Sequence, residues 1–426
     1  MRRLANHVLR TLARQVIQRY HPEVIGVTGS YGKTSTKEAI AAVLSSAYVV
    51  RQSARSYNNE FGVPFTILDV RPGRSGWQSV LRGLWFGLKY LVRASQPYPT
   101  VLVLEMGADR PGDIKTLTEL THINVAVLTG VGPTHLQRFS TVEAVLAEKS
   151  LLVTAVGERG WVALNGDDPR ARSLSEVTPC RIISYGFDSG VAVRAVDAAS
   201  SREESTGEWG LLVKIEFNQQ QFTVFVPGVT GRHSAYAALA AVAVGAAYHL
   251  DVVEMVEGLR RYQPPPGRMR VLPGAFSTTL LDDSYNSSPD TCVAAVEALR
   301  EFPAEHRRWA VLGDMAELGT AAEPAHRAIG QVVVDEQIDE LVVIGQYGQA
   351  SVAEALAQGL HREHTHTFSK PEETAEFLRE HVQPGDVLLI KGSQAARMEK
   401  VTKALLADPS KAAELLVRQY GHWLAT

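Results

Sequence analysis

The chain has 426 residues, of which 45% are hydrophobic and 21% charged, and 43 basic against 46 acidic residues leave a formal net charge of −3. This length predicts two or three domains with sizeable cores, and the low net charge excludes general disorder and binding to nucleic acid through overall positive charge. Cys180 and Cys292 are too few for a disulfide framework or a cysteine-rich zinc site, which favours a reducing cytoplasm. The longest apolar stretch, residues 235–250, is too short to span a membrane and predicts a buried helix.

Residues 1–22 predict a basic amphipathic helix. Apolar residues recur every four positions from Leu4 to Tyr20, and five arginines precede the first acidic residue, Glu23. Two interpretations follow from this pattern. The helix packs on the next domain, or it contacts an anionic surface of lipid or nucleotide.

The remaining chain predicts two α/β domains. In residues 23–263, short apolar strands alternate with helical patterns, which indicates a mostly parallel sheet, while the strict alternation in 191–227 predicts a small antiparallel sheet. Three consecutive prolines at 264–266 cannot continue a helix and predict a domain boundary. Residues 264–426 predict a Rossmann-like α/β domain that ends in a helix near residues 411–420.

The segment Thr-Gly-Ser-Tyr-Gly-Lys-Thr-Ser, residues 28–35, follows a predicted strand and opens a predicted helix, as a phosphate-binding loop does. Backbone N–H groups of such a loop and the helix N-terminus favour bound phosphate. Lys33 would reach the β- and γ-phosphates of ATP, and the Thr34 hydroxyl would lie on Mg²⁺. The predicted nucleotide contacts here are Thr28, Gly29, Ser30, Gly32, Lys33, Thr34 and Ser35.

This loop and nine further motifs resemble, in the same order, motifs of the Mur ligase family of ATP-dependent amide-forming enzymes. The other motifs lie at residues 58–64, 104–109, 130–136, 147–150, 164–169, 227–233, 282–289, 311–319 and 391–399. The last three resemble the branch that adds D-alanyl-D-alanine to a UDP-N-acetylmuramoyl-tripeptide. The resemblance implies ligation through an acyl phosphate by a cytoplasmic monomer that acts on peptide and small-molecule substrates.

The resemblance also implies metal and catalytic roles. The family residues that match Glu105 and His135 belong to sites for two Mg²⁺ ions, together with Thr34, and the lysine that matches Lys149 carries a carbamate derived from CO₂. Lys33, Glu105, His135 and Lys149 are therefore the expected catalytic residues. From the residues alone, a capping acid, a structural histidine and a solvated lysine remain open alternatives.

Further residues are assigned by resemblance to nucleotide and substrate. Asp283, Asn286 and Arg268 are expected at the nucleotide, although a helix cap and a linker salt bridge remain open for Asp283 and Arg268. The expected substrate contacts are Asn58, Asn59, Asp314, Glu317, Lys391, Ser393 and Arg397. Turns are the alternative for the two asparagines, and helix caps are the alternative for Lys391, Ser393 and Arg397.

Three departures from the family pattern stand out. Only 22 residues precede the first strand, where the family carries an N-terminal domain that holds the UDP group, and Ala237 replaces an asparagine that meets adenine. Residues 71–99 resemble an insertion rich in basic and aromatic residues, which predicts a helix that packs on its own domain or lies on a membrane. Peripheral contact with the inner membrane surface through residues 1–20 and 74–95 is thus one expectation. A different acceptor, or a regulator that binds ATP without ligation, is the alternative function.

Overall fold

The structure is a computed structural model that describes residues 2–54, 57–70, 76–92, 96–134 and 136–424. The chain divides into two compact units, each with its own buried core. The first comprises Met1–Asp197, Lys214–Val224 and Tyr236–Gln263. The second comprises Ala198–Val213, Phe225–Ala235 and Pro264–Thr426.

The larger sheet follows the predicted alternation of strand and helix. Its strands are β1 (Glu23–Thr28), β2 (Val50–Gln52), β3 (Val101–Glu105), β4 (Ile123–Leu128), β5 (Val156–Asn165), β6 (Arg181–Gly186), β7 (Val193–Arg202), β8 (Trp209–Phe217) and β9 (Gln220–Pro227). Their order is β2-β3-β1-β4-β5-β6-β7-β8-β9, and the pairs from β2 to β7 are parallel. Since Val27 pairs with Glu105 and Thr28 with Leu128, the carboxyl ends of β3, β1 and β4 lie side by side.

Helices of this part of the chain precede the sheet, connect its parallel strands or follow its last strand. They are α1 (Arg2–Tyr20), α2 (Lys33–Leu44), α3 (Gly62–Ile67), α4 (Gly76–Val92), α5 (Asp113–Thr118), α6 (Leu136–Phe139), α7 (Val142–Thr154), α8 (Pro169–Ser173), α9 (Ala235–Ala247) and α10 (Val252–Arg260). The predicted buried helix is confirmed, because every side chain of α9 from Ala237 to Val244 is buried. Within the described ranges, no helix has both the length and the apolar character needed to cross a membrane.

The predicted hairpin in residues 191–227 is confirmed for β8 and β9. Asn218 and Gln219 form their two-residue connection with φ values of 49° and 62°, as in a type I′ turn, and so short a connection joins only antiparallel strands. These strands do not form a separate small sheet, because β7 pairs with β6 and thereby extends the parallel sheet.

Helix α1 packs on the first unit, which confirms the packing interpretation of the amino-terminal segment. Leu9 and Val16 are buried in the core that also contains residues of α3 and α4. The guanidinium groups of Arg10 and Arg14 donate to the carbonyl oxygens of Thr116 and Glu119, at 3.0 and 2.9 Å. Both oxygens lie at the carboxyl end of α5, where the helix dipole favours cations.

The second unit contains a six-stranded sheet that is parallel except at one edge. Its strands are β10 (Arg270–Pro273), β11 (Thr279–Asp283), β12 (Arg308–Gly313), β13 (Glu340–Ile344), β14 (Thr365–Phe368) and β15 (Val387–Lys391), in the order β10-β11-β15-β12-β13-β14 with β10 antiparallel. Its helices are α11 (Pro289–Glu301), α12 (Ala322–Asp335), α13 (Gly348–Ala357), α14 (Pro371–His381), α15 (Glu399–Leu405) and α16 (Ala412–Leu415).

The helix expected at residues 411–420 is wrong beyond Leu415. Leu416 is extended, with φ −112° and ψ 156°, and Arg418 has a left-handed φ of 58°. The Arg418 guanidinium donates to the carbonyl oxygens of Ser284 and Tyr285, at 3.1 and 2.6 Å. These contacts with a distant loop hold the segment outside helical geometry.

Candidate functional site

The loop between β1 and α2 lies at the carboxyl edge of the larger sheet, and its backbone requires glycine. Gly29 has φ 152°, and a Cβ atom there would lie 1.9 Å from the Thr129 Oγ1 atom. Gly32, with φ 75°, precedes the first helical residue, Lys33. The loop therefore leads its backbone directly into a helix N-terminus, the arrangement that binds phosphate.

Hydrogen bonds from the segment after β4 fix this loop. The Ser30 backbone N–H donates to the Gly130 carbonyl oxygen at 2.8 Å, and the Ser30 hydroxyl accepts from the Gly132 N–H at 3.0 Å. The Thr129 hydroxyl donates to the Tyr31 carbonyl oxygen at 2.5 Å. A loop held in this way is preorganised for its ligand before the ligand binds.

Two lysines meet at one carbonyl oxygen of the loop. The Lys33 and Lys149 Nζ atoms lie 2.7 and 2.9 Å from the Gly29 oxygen. Lys149 lies on α7, but it is buried and not the solvated lysine that its residue type also allowed. Burial and the nearby Lys33 charge hold the pKa of Lys149 well below its ordinary value. The site thus combines concentrated positive charge with a lysine that loses its proton easily.

Glu105 ends β3 beside this loop with one carboxylate oxygen unsatisfied. Its residue surface is 1% exposed, and its Oε1 atom accepts from Asn58 Nδ2 at 3.0 Å. The Oε2 atom is buried and has no hydrogen-bond partner among the residues that the structure describes. A buried carboxylate oxygen without a partner is costly, and it is the ligand type that Mg²⁺ prefers. Glu105 together with the hydroxyl of Thr34, buried at the start of α2, therefore fits a cation.

The two asparagines expected at the substrate differ in their surroundings. Asn58 contacts Glu105, whereas the Asn59 Oδ1 atom accepts from the N–H groups of Phe61 and Gly62 at 3.2 and 2.9 Å. Asn59 thus caps the start of α3, the turn role that its residue type also allowed.

His135 lies outside the described residues, so its predicted metal role stays a prediction. Among the residues that are described, no three His, Cys, Asp or Glu side chains form a group that could hold a metal ion. Thr28 ends β1 with its hydroxyl buried and without a hydrogen-bond partner, and Ser35 is half-buried in the first turn of α2.

The second unit has a polar cluster at the carboxyl edge of its own sheet. Asp283 ends β11 and Lys391 ends β15, and the two residues pair in register. The Lys391 Nζ atom lies 2.5 Å from Asp283 Oδ2 and 3.0 Å from the Asn286 carbonyl oxygen. The Arg268 guanidinium lies over the Tyr285 ring, 4.0 Å from its centroid. The structure thus brings three predicted nucleotide residues and one predicted substrate residue into one cluster.

The remaining predicted substrate residues make structural contacts. The Asp314 carboxylate accepts from the N–H groups of Gln346 and Tyr347, just before α13, at 2.8 and 3.1 Å. Buried Ser393 donates its N–H to the Asp314 carbonyl oxygen at 3.0 Å, while Glu317 is exposed with a left-handed φ of 63°. Asp314 therefore holds the turn that precedes α13 in this structure.

Comparison with known proteins identifies the family. The sequence model of the Mur ligase middle domain matches residues 27–76 and 86–245, and that of the Mur ligase glutamate ligase domain matches residues 267–394. A UDP-N-acetylmuramoyl-tripeptide–D-alanyl-D-alanine ligase of Mycobacterium bovis is 31% identical over 419 residues, which cover 90% of this chain and 73% of that protein. The chain belongs to the Mur ligase family.

Two further comparisons agree with this assignment. The enzyme of the same name from Bacillus subtilis is 28% identical over 401 residues, 94% of this chain and 79% of the relative. A crystal structure of MurF ligase from Thermotoga maritima in complex with ADP has a TM-score of 0.76 and 27% identity, and covers 96% of this chain and 84% of that chain. This Mur ligase is therefore an ATP-dependent enzyme that forms amide bonds.

The Mur ligase site includes an arginine that sequence reasoning missed. The predicted substrate residue Arg397 donates from Nε to Glu399 Oε1 at 2.6 Å, and Arg418 donates to Glu399 Oε2 at 2.9 Å. Buried Glu399 thus joins Arg397 to Arg418, which also holds the loop after Asp283. No motif around Arg418 indicated this, because its partners are up to 134 residues away in the sequence.

A second missed residue, Lys37, supports the Glu105 end of the Mur ligase site. Lys37 is fully buried, and its Nζ atom donates to the Ser53 carbonyl oxygen at 2.5 Å and pairs with Glu38 at 2.9 Å. The Ser53 hydroxyl in turn accepts from the Glu105 N–H at 3.2 Å. The available signal was the four-residue spacing from Lys33, which puts both lysines on one face of α2.

Asp282 is expected to make the stability of this Mur ligase depend on pH. Burial raises its pKa from 3.8 to about 6, against the hydrogen bond that the Thr402 hydroxyl donates at 3.0 Å. Because the folded state binds the proton more tightly, the contribution of Asp282 is fully present below the ordinary pKa and is lost as pH rises through about 6. Asp282→Asn should therefore raise the free energy of unfolding by about 2 kcal/mol at pH above about 7, with little change near pH 4.

Chemical unfolding followed by circular dichroism across this pH range measures the difference between parent and variant. Asp335→Asn, a change at an exposed carboxylate at the end of α12, is the matched control and should not alter the pH profile. Parallel profiles for the parent protein and Asp282→Asn would contradict the expectation.

Proposed function

We propose that this chain joins D-alanyl-D-alanine to a UDP-N-acetylmuramoyl-tripeptide-type acceptor and converts ATP to ADP and phosphate. The acceptor carboxylate takes the γ-phosphoryl group and becomes an acyl phosphate. The dipeptide amine then attacks the acyl carbon, the amide bond forms, and phosphate leaves while the amine loses a proton. The observation that carries the proposal is the pair of lysines at the phosphate loop beside an unsatisfied Glu105.

Lys33 has the central role in phosphoryl transfer. Its ammonium already lies at the mouth of the loop, bonded to the Gly29 oxygen, and needs only a side-chain rotation to reach bound phosphate. Phosphoryl transfer is catalysed chiefly by positioning and by neutralising charge on the transferred group. The loop N–H groups and the N-terminus of α2 add to this positive potential.

Magnesium fits the residues beside the loop. Glu105 Oε2 and the Thr34 hydroxyl would hold the first ion, with Asn58 fixing the other carboxylate oxygen of Glu105. When bound, Mg²⁺ neutralises phosphate charge and orients the oxygens for transfer. His135 and Lys149 are proposed to complete the sites for two ions.

Lys149 is suited to carbamylation. Its free amine would attack the carbon of CO₂ and lose a proton, which leaves an anionic carbamate on the side chain. Only the neutral amine reacts, so the lowered pKa of Lys149 favours this modification. The carbamate oxygens would replace the amine near the loop with a carboxylate-like ligand.

The second unit is proposed to bind the nucleotide and the anionic part of the substrate. Asp283 would accept from the ribose hydroxyls and Arg268 would approach the nucleotide, as would Asn286. Lys391, Ser393, Arg397, Asp314 and Glu317 would hold the acceptor or the incoming dipeptide. The proposed ATP-binding domain is residues 23–263 and the proposed C-terminal domain is residues 264–426, acting as a cytoplasmic monomer.

The test is release of phosphate from ATP with Mg²⁺, with D-alanyl-D-alanine and UDP-N-acetylmuramoyl-tripeptide added singly and together. Release only when both are present, with the amide product found by mass spectrometry, supports the proposal. Protein that binds ATP but releases no phosphate with both substrates contradicts the acceptor, and tripeptides on other carriers are then the acceptors to compare. ATP turnover that ignores every peptide would instead favour a regulator without ligation.

A further inference from the structure

We propose that the outer face of α4 docks on an anionic phospholipid surface. This inference goes beyond the ligase reaction and does not depend on it. The outer stripe, as we define it, consists of Trp77, Leu81, Trp85, Leu88 and Val92. Their spacing of four, four, three and four residues places them on one side of the helix.

The opposite face of α4 already packs on its own unit. Val80 and Tyr90 are buried, and a Cβ atom at Gly83 would lie 2.6 Å from the Leu9 side chain in α1. Gly87 is similarly close to Leu12, with 3.2 Å to its Cβ. The two glycines let α1 and α4 approach closely. The inner face of α4 is therefore packed against α1 and the core of the first unit.

The outer stripe remains exposed although it is apolar. Its five residues have between 53% and 78% of their surface exposed. Single exposed apolar residues are ordinary, but a continuous stripe of large ones marks an interaction surface. Two of the six tryptophans of the chain lie on this stripe, and tryptophan favours the boundary between lipid and water.

The positive charge of the residues in and around α4 favours an anionic lipid surface as the partner of the outer stripe. Residues 71–95 contain five basic residues and no aspartate or glutamate, in a chain whose net charge is −3. On α4 itself, Arg82 is exposed beside the stripe and Lys89 is half-buried, with its Nζ atom 5.9 Å from the centre of the Phe86 ring. An apolar stripe with basic flanks is the pattern of helices that lie in the plane of a bilayer.

The first half of helix α4 lies outside the sequence that matches the family. The match to the Mur ligase middle domain is interrupted at residues 77–85, which include the first three residues of the stripe. A segment outside the shared sequence is free to serve a role other than the shared ATP chemistry. The arginines Arg10 and Arg14 of α1 contact α5, so we assign the lipid contact to α4.

Flotation with vesicles of phosphatidylcholine, with and without phosphatidylglycerol, tests the proposal on the full chain. The parent protein should bind the anionic vesicles and release them in high salt. Trp85→Ser combined with Leu88→Ser should lower vesicle affinity at least about tenfold, because two large apolar side chains leave the bilayer boundary. Val253→Ser, at an exposed apolar residue of α10, is the matched control and should bind as the parent does.

A second pair of variants tests the charge separately. Arg82→Gln with Lys89→Gln should lower affinity for anionic vesicles by about tenfold or more, since each cation near such a surface contributes about 1 kcal/mol. Lys214→Gln with Lys403→Gln, at exposed lysines elsewhere, is the control. Ligation of soluble substrates should be unchanged in every variant, so loss of vesicle binding is distinct from failure of the proposed reaction.

Three results would overturn the proposal. They are failure of the parent protein to bind anionic vesicles, equal binding to neutral vesicles, and unchanged binding by the stripe variants. Light scattering distinguishes one alternative. If the parent protein does not bind vesicles but forms a dimer, and the double variant Trp85→Ser with Leu88→Ser is a monomer, the outer stripe is a self-association surface.

Discussion

Lys149→Ala is expected to lower the rate of ATP-dependent ligation about a thousandfold or more. Removal of one preorganised charged group next to a reacting phosphate typically lowers a rate by this factor. The substitution removes the amine that is proposed to carry the carbamate next to the phosphate loop. Short carboxylic acids added to Lys149→Ala should restore part of the rate, because a free carboxylate can occupy the space of the carbamate. Removal of dissolved CO₂ should likewise lower the activity of the parent protein.

Initial-rate assays with and without formate or acetate measure this effect. Lys115→Ala, at an exposed lysine of the same unit, is the control and should retain full activity without any response to carboxylic acids. Thermal unfolding distinguishes lost chemistry from a lost fold, since Lys149 also holds the Gly29 carbonyl. Full activity in Lys149→Ala would exclude the carbamate, and a folded, inactive variant without rescue would indicate a different role for this amine.

Lys33→Met is expected to lower kcat/KM for ATP by about a thousandfold, or about 4 kcal/mol of transition-state stabilisation. Methionine keeps much of the side-chain length but removes the charge that is proposed to meet the transferred phosphoryl group. Because Lys33 is only half-buried and its partners are loop carbonyl oxygens, the fold should tolerate this change. The loss should appear mainly in kcat if the lysine acts in the transition state.

Phosphate release measures the loss of turnover, and calorimetric titration with ADP measures whether nucleotide affinity changes. Lys214→Met on β8 removes an exposed charge from the sheet and should leave both quantities unchanged. Parent-like turnover in Lys33→Met would remove the main support for phosphate handling by this loop.

Local patterns in the sequence predicted the parts of the fold that short-range physics determines. The phosphate loop was predictable because Gly29 and Gly32 adopt backbone conformations that other residues resist, between a strand and a helix. The buried helix α9 followed from its uninterrupted apolar composition, and the hairpin of β8 and β9 from strict alternation. The resemblance assigned Glu105 to a metal site, and the register of β1 and β3 places it at a strand end next to the loop.

Contacts between segments that are distant in the chain could not be predicted from the sequence. Residue type allowed Asn59 either to bind substrate or to serve a turn, and Asp314 was expected at the substrate by resemblance alone. Only the structure shows that Asn59 contacts the start of α3 and that Asp314 contacts the turn before α13. The local pattern predicted a helix that includes Arg418. It could not show the contacts with Ser284 and Glu399 that hold this residue outside helical geometry, because those partners lie in other segments of the chain. The two faces of α4 could not be told apart by pattern, since both are apolar and only one has a neighbour.

The unsatisfied Oε2 atom of Glu105 has a thermodynamic consequence. A ligand that binds only the folded protein stabilises it by mass action, and a buried carboxylate oxygen without a partner gains most from a cation. With the proposed Mg²⁺ ion at Glu105, cation concentration and the conformational stability of the first unit would be linked variables. In a cell, the supply of divalent cations would set how long this unit survives as well as how fast it works.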